Sequence, residues 1–374
     1  MNETISWRND TTWIQGSHAY KFGYEILRHR LNSANFARFT AFNHGGVTSG
    51  LQPNGVGIPN TGIDFAGFLT GYVNSVNANA ELTSWLPRSS IHSFYIQDDW
   101  KISQTLTLNL GLRYELDTAL TEVANRQTNF DVVTGKLLIA GFNTDAATGV
   151  QADKNNFAPR IGFAWQPVSG TVLRGGYGIF YNPGNSESVY MRRHRQLPFG
   201  PIVTPDINQY NPNFRRVSQG FDPIPVLDFN VVSNNPVGAM LAVDPRMRSA
   251  YVQQYNLQVQ HQLPAALIAK VGFVGNIGRR LDFSWNYNQP TPGPGANNPR
   301  RPLFGIAPGV TDVSYLTFDG KSNYNSLQAS LERRFAGVGF ISAYTWSHAI
   351  DDVANAFGGA DNGPIPQDRR CRQC

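Results

Sequence analysis

Cysteine is nearly missing from this chain: of 374 residues only Cys371 and Cys374 are cysteines, both in the last four positions. A pair so placed excludes a disulfide framework and a four-cysteine zinc site. Charge is also sparse, at 15% of residues, where an ordinary soluble domain carries about a quarter. The net charge is only +5, and the basic clusters Arg192-Arg193-His194-Arg195, Arg215-Arg216 and Arg300-Arg301 fall in irregular, proline-containing stretches. A nucleic-acid binder concentrates its cations on one stripe, so that class is set aside. No apolar run approaches the ~18 residues of a membrane helix, and the mean hydropathy is −0.31. Met1-Asn2-Glu3-Thr4 opens no charged-then-apolar leader, so no signal peptide is read and the N-terminus is expected to be incomplete.

Aromatics, by contrast, reach 12%, beside 36 Gly and 23 Pro, a profile that argues against disorder. The informative pattern is strict alternation, the period-two signature of a strand whose two faces meet different surroundings. Leu106, Leu108, Leu110, Leu112, Tyr114 and Leu116 share one face, and Thr107, Asn109, Gly111, Arg113, Glu115 and Asp117 the other. Tyr20, Phe22, Tyr24 and Ile26 oppose Lys21, Gly23 and Glu25 in the same way, and Phe94 and Ile96 oppose Tyr95, Gln97 and Asp99. Ile161, Phe163 and Trp165 alternate with Arg160, Gly162 and Ala164, and Tyr255, Leu257 and Val259 with Gln254, Asn256, Gln258 and Gln260.

These strands form five pairs with short connections at 15–17, 103–105, 167–170, 264–265 and 336–337. Long, irregular stretches separate the pairs, at 31–71, 118–156, 182–249 and 275–323. Such loops are uncommon inside compact soluble domains, whereas outer-membrane barrels alternate short turns at one rim with long loops at the other. Strands of about 10 to 12 residues match a tilted crossing of the hydrocarbon. The expected fold is therefore all-β, an antiparallel up-and-down transmembrane β-barrel left as an open, curved sheet of about 10–12 strands. A doubtful strand pair at 35–43 and 72–85 is included in that count.

On this reading Lys21, Glu25, Gln97, Asp99, Asn109, Arg113, Glu115, Arg160, Arg174 and Gln258 are candidate lumen-facing residues. Tyr20, Phe22, Tyr24, Leu108, Leu110, Leu112, Tyr114 and Phe163 are candidate lipid-facing residues. Trp13, Tyr20, Trp100, Trp165, Tyr344 and Trp346 stand near strand ends, as interfacial girdles do. Residues 63–72 are expected to form a helical turn or two, or an apolar loop in the barrel mouth. The proline-rich 290–302 segment favours an extended polyproline conformation.

Catalytic patterns are missing. The seven histidines are scattered, with no metalloprotease spacing. His348 with Asp351 and Asp352 is the nearest approach to an acid-base cluster, but neighbours in a strand point to opposite faces. Arg174-Gly175-Gly176-Tyr177-Gly178 lacks the Lys-Ser/Thr of a phosphate loop. No enzyme, cofactor or metal is expected, and the Cys371/Cys374 pair reads as an incidental spacing in a frayed tail.

The run Ser93-Phe94-Tyr95-Ile96-Gln97-Asp98-Asp99-Trp100-Lys101, then Gly111-Leu112-Arg113-Tyr114-Glu115, resembles a specific motif of TonB-dependent transporter barrels. Asn156 to Phe163 followed by Leu173 to Gly178 is similar to the next hairpin of those barrels. The stretches Gly16 to Glu25, Ile63-Asp64-Phe65 with Phe68-Leu69, Gln253 to Leu257, Asn288-Gln289-Pro290 and Tyr344 to Ala349 resemble the Oar-like branch. The resemblance implies energy-coupled uptake of a nutrient such as a chelated metal, glycan or peptide. It also implies outer-membrane lipid, a plug domain and the TonB complex as partners. Compared with that plan the chain reads as a fragment, with residues 1–360 a partial barrel lacking the plug and 361–374 an irregular tail. Two alternatives stand beside it: a passive outer-membrane porin or adhesin barrel, and a soluble β-rich carbohydrate-binding protein.

Overall fold

A computed structural model describes residues 2–34, 39–44, 58, 61–73, 75–79, 84–182, 187–204, 216–219, 227–333 and 339–352. Among the described residues twelve strands form one sheet. Its body is an antiparallel meander of β1 (Glu3–Gln15), β2 (His18–Arg30), β3 (Pro87–Lys101), β4 (Leu106–Asp117), β5 (Asn156–Val168), β6 (Thr171–Asn182), β7 (Ala250–Leu263), β8 (Leu267–Asn286), β9 (Val310–Arg333) and β10 (Phe340–Asp351). Each strand pairs with its predecessor and successor, and the sheet is open, with β1 and β10 at its two edges.

The strands form where the period-two pattern runs, and they turn back where it breaks. Gly16 at φ +58 and Gly170 at φ +79 supply the left-handed residue that each tight turn requires. Four of the five short connections expected from the sequence join neighbouring strands of the sheet. The fifth, at Ala336-Gly337, lies outside the described residues, but β9 and β10 on either side of it are paired.

Directly opposed residues of an antiparallel pair share a face, so the register assigns every side chain. One row runs Thr12, Lys21, Gln97, Gly111, Arg160, Gly178 and Gln254 from β1 to β7. The next row, on the opposite face, runs Thr11, Phe22, Ile96, Leu112 and Pro159. The second face holds apolar side chains in the open, among them Ile96 at 56% and Leu112 at 44% exposure. Among the described residues no second layer covers Leu108, Leu110 or Leu112: the first is half-buried and the other two are exposed.

The long connections depart from the expectation of irregular loops. The 118–156 stretch holds a small hairpin, Thr128–Asp131 with Lys136–Ile139, and the 182–249 stretch holds α1 (Glu187–His194), α2 (Phe229–Asn234) and a strand at Gly238–Val243. That strand runs parallel to the start of β9, an exception to the up-and-down rule. β8 reaches Asn286 and β9 begins at Val310, so much of 275–323 is strand. These pieces close on one apolar core around Phe130, Leu137, Ile139, Phe199, Met240, Leu303 and Val313. The reason is combinatorial: each piece is too short to show a period, and its apolar residues are satisfied only by pieces distant in sequence.

The doubtful pair also differs. Phe39–Asn43 and Ser75–Asn79 join Pro201–Thr204 in a separate three-stranded sheet, so neither belongs to the wall. Asp64–Thr70 is helical and ends at Gly71, whose φ of +76 closes it. Segment 290–302 folds back on itself rather than extending as polyproline: Thr291 N donates to Arg300 O at 3.1 Å, and Asn298–Arg300 is a 3-10 turn. The tail 361–374, with Cys371 and Cys374, lies outside the described residues.

Candidate functional site: the polar face of the wall

Because alternation puts every second residue of β1 to β5 on one face, polar side chains from strands distant in sequence become neighbours. Asp99 of β3 is the first centre. It accepts from Lys21 Nζ at 2.7 Å, from Asn109 Nδ2 at 2.6 Å and from Gln97 Nε2 at 2.9 Å. Arg113 of β4 is the second: its Nε meets Glu115 Oε1 at 2.5 Å and its Nη2 meets Glu25 Oε2 at 3.2 Å. One guanidinium thus bridges two half-buried carboxylates and offsets the repulsion between them.

The candidate residues are therefore only partly assembled. Lys21, Gln97, Asp99 and Asn109 form one network, and Glu25, Arg113 and Glu115 form another. Arg160 stands beside them with its guanidinium 4.5 Å over the Phe180 ring. Arg174 and Gln258 lie opposite each other two strands away and outside both networks. A third cluster was missed from the sequence: Arg8 Nε meets Asp10 Oδ2 at 2.5 Å, and the Tyr95 hydroxyl donates to Asp10 Oδ1. Its signal was present, since Trp7, Asn9, Thr11 and Trp13 alternate with Arg8, Asp10 and Thr12.

Glycine shapes this face. Gly23 lies between Asp10 and Tyr95 in the register, and a Cβ there would strike the Asn9 carbonyl oxygen and come within 2.7 Å of the Tyr95 ring. Tyr95 reaches across β2 to Asp10 because nothing stands in its way. Gly111 is different: a Cβ there meets nothing nearer than 3.6 Å. It is the floor of a cavity of about 240 Å³ walled by Arg8, Lys21, Tyr95, Gln97, Arg113 and Arg160.

The opposite face carries the candidates Tyr20, Phe22, Tyr24, Leu108, Leu110, Leu112, Tyr114 and Phe163 by the same register. Its aromatics touch across strands, Tyr24 on Phe94 at 4.6 Å and Tyr114 on Phe157 at 4.9 Å. Gly175 belongs to this face, not the polar one, and leaves room for Phe163, whose ring would stand 2.5 Å from a Cβ there. Toward the first short turn, His18 stacks on Trp100 at 5.1 Å and on Tyr20 at 5.4 Å, and its Nδ1 bonds Asp98 Oδ2 at 2.7 Å.

Above the wall, the folded connections are pinned by α1. Arg192 donates to Ser314 O and Ser284 Oγ, each at 2.8 Å, which ties the helix to β9 and β8. Arg193 is almost fully buried and donates to Leu120 O at 3.1 Å, to Thr148 Oγ1 at 2.9 Å and to Ala147 O. These arginines were expected in an irregular, proline-containing stretch; they are instead internal struts on a helix. Among the described residues no group of three or more His, Cys, Asp or Glu is placed to hold a metal ion.

The family model described as "Outer membrane beta barrel domain" matches residues 1–374 of the sequence. No curated protein matches it. Among solved structures, the chain is similar to the outer membrane transporter YddB from Escherichia coli at 12% identity and TM-score 0.48, over 97% of this chain and 34% of that one. The siderophore receptor PirA from Acinetobacter baumannii gives 12% identity and TM-score 0.46, over 92% and 36%. The FrpB iron transporter from Neisseria meningitidis gives 10% and 0.41, over 94% and 36%. The chain thus spans about a third of the length of each of these structures.

Proposed function

The chain belongs to the outer membrane β-barrel domain family, and we propose that it forms part of the wall of a transporter that takes up a nutrient by TonB-coupled transport. One observation carries the reading. A continuous register from β1 to β10 gathers charged and amide side chains on one face and leaves the apolar ones exposed on the other. Uncovered apolar surface on that scale needs a solvent of its own kind, and lipid supplies it. The polar face is then the lumen wall, with Lys21, Glu25, Asp99, Arg113 and Gln258 in contact with water or with a plug domain. Phe22, Leu110, Leu112 and Phe163 face acyl chains. Energy coupling, and a chelated metal, glycan or peptide as cargo, are supported by the motif from Ser93 to Glu115.

Neighbouring residues of one strand test the assignment of faces. With the protein in a bilayer, Gln258→Cys is expected to react with a membrane-impermeant maleimide and Leu257→Cys to stay unreactive until detergent is added. Equal reactivity, or the reverse, overturns it. Uptake that continues after collapse of the proton-motive force assigns the barrel to the passive class instead.

A further inference from the structure

Among the described residues, four cations and no carboxylate line the cavity over Gly111. Three of the four are paired from behind with acids outside the lining, Arg8 with Asp10, Lys21 with Asp99, and Arg113 with Glu25 and Glu115. Asp99 already accepts three hydrogen bonds, Glu25 and Glu115 both turn to Arg113, and Asp10 holds Arg8 and Tyr95. Arg160 rests against the Phe180 ring rather than a carboxylate, which leaves the edge of its guanidinium for a further acceptor. Gln97 and Tyr95 add neutral polar groups to the rim. At about 240 Å³ the space takes a small oxyanion with part of its hydration.

We propose that this cavity is an anion subsite on the wall, holding a carboxylate or phosphate group on the guanidinium of Arg160, with the N–H groups of Lys21 and Arg113 that their own carboxylates leave over as further donors. Convergent guanidinium and ammonium donors on one small volume are the arrangement that recognises such groups. The proposal rests on the polar face being wetted, and the cysteine labelling above tests that separately. A labelled face that binds no anion sinks only the subsite.

The probe is inorganic phosphate, titrated calorimetrically into the protein in detergent micelles. The wild type is expected to bind it. Arg160→Gln weakens binding by about tenfold or more. Gly111→Leu abolishes it, since the new side chain enters the cavity while its Cβ meets nothing nearer than 3.6 Å. Lys136→Gln, which removes an exposed cation outside the cavity lining, leaves binding unchanged. Circular dichroism confirms that each variant keeps its strands. Two results overturn the proposal: no phosphate bound by the wild type, or equal binding by wild type and Gly111→Leu. Phosphate that also binds protein extracted from native membranes identifies a passing solute as the natural ligand. Phosphate excluded there, yet bound by the chain alone, identifies a protein carboxylate in the same seat.

Discussion

The Tyr255 hydroxyl on β7 donates to Asn325 Oδ1 on β9 at 2.8 Å, across the whole width of β8. The bond exists because Gly275 lies between them in the register. A Cβ at Gly275 would stand 2.6 Å from Tyr255 Cζ and 2.7 Å from Asn325 Oδ1. Tyr95, Gly23 and Asp10 repeat the arrangement on the polar face, so the wall twice uses glycine as a saddle for a tyrosine.

Gly275→Ala is therefore expected to cost about 1–3 kcal/mol through overpacking, read from the urea midpoint of unfolding in micelles. The atoms it meets belong to side chains. Adding Tyr255→Ala should then remove most of the penalty, leaving the double variant only slightly less stable than Tyr255→Ala alone, by what the contact with the Asn325 side chain still costs. Simple additivity of the two losses would contradict this account. Gly23→Ala behaves differently, because a Cβ there strikes the Asn9 carbonyl oxygen and truncating Tyr95 does not move the backbone.

The wall was legible in the sequence and the folded connections were not, for one physical reason. Leu106 to Leu116 alternate over a dozen positions, and each strand carries its own evidence of having two different faces. Thr128–Asp131 and Gly238–Val243 are strands of four and six residues whose apolar side chains find partners over 100 positions away. Arg192 and Arg193 show the same limit. In the sequence they are a basic cluster; buried on α1, they hold together segments whose proximity only the fold creates. The polar face falls between these cases. Alternation put Asp99 and Arg113 on one face, but only the register showed that Lys21 and Glu25, 78 and 88 positions away, are their partners.

His194, next to those arginines, makes the folded connections sensitive to acid. Its ring stacks on Trp85 at 4.7 Å, and burial, helped by the positive charge of Arg195, pushes its pKa down from 6.5 to about 4. Between those values the unfolded segment binds the proton and the folded one does not, so stability is full above pH 6.5 and falls as the pH drops toward 4. The loss amounts to about 3 kcal/mol at most. Trp85 fluorescence during urea unfolding at pH 7 and pH 4.5 is expected to show it, and His194→Phe should flatten the difference while keeping the stacked ring. An unchanged pH dependence in that variant would place the acid sensitivity elsewhere.

The turn from β7 to β8 stores avoidable strain. Leu263 pairs with Leu267, and the three residues between include Ala265 at φ +62 and Ala266 at φ +56. The left-handed region costs an L-residue with a Cβ about 1–2 kcal/mol, while glycine enters it freely at the expense of a more disordered unfolded chain. The difference favours Ala266→Gly by about 0.5–1 kcal/mol. Asparagine tolerates the same region and restricts the unfolded chain more than glycine does, so Ala265→Asn is also expected to stabilise. The first turn gives the converse: Gly16 has φ +58, and a Cβ added there would meet nothing within 4 Å, so Gly16→Ala pays only the conformational cost, about 1 kcal/mol. If Gly16→Ala left the urea midpoint untouched, backbone conformation would not be what holds these hairpins in register, and the gains expected at Ala265 and Ala266 would lose their basis.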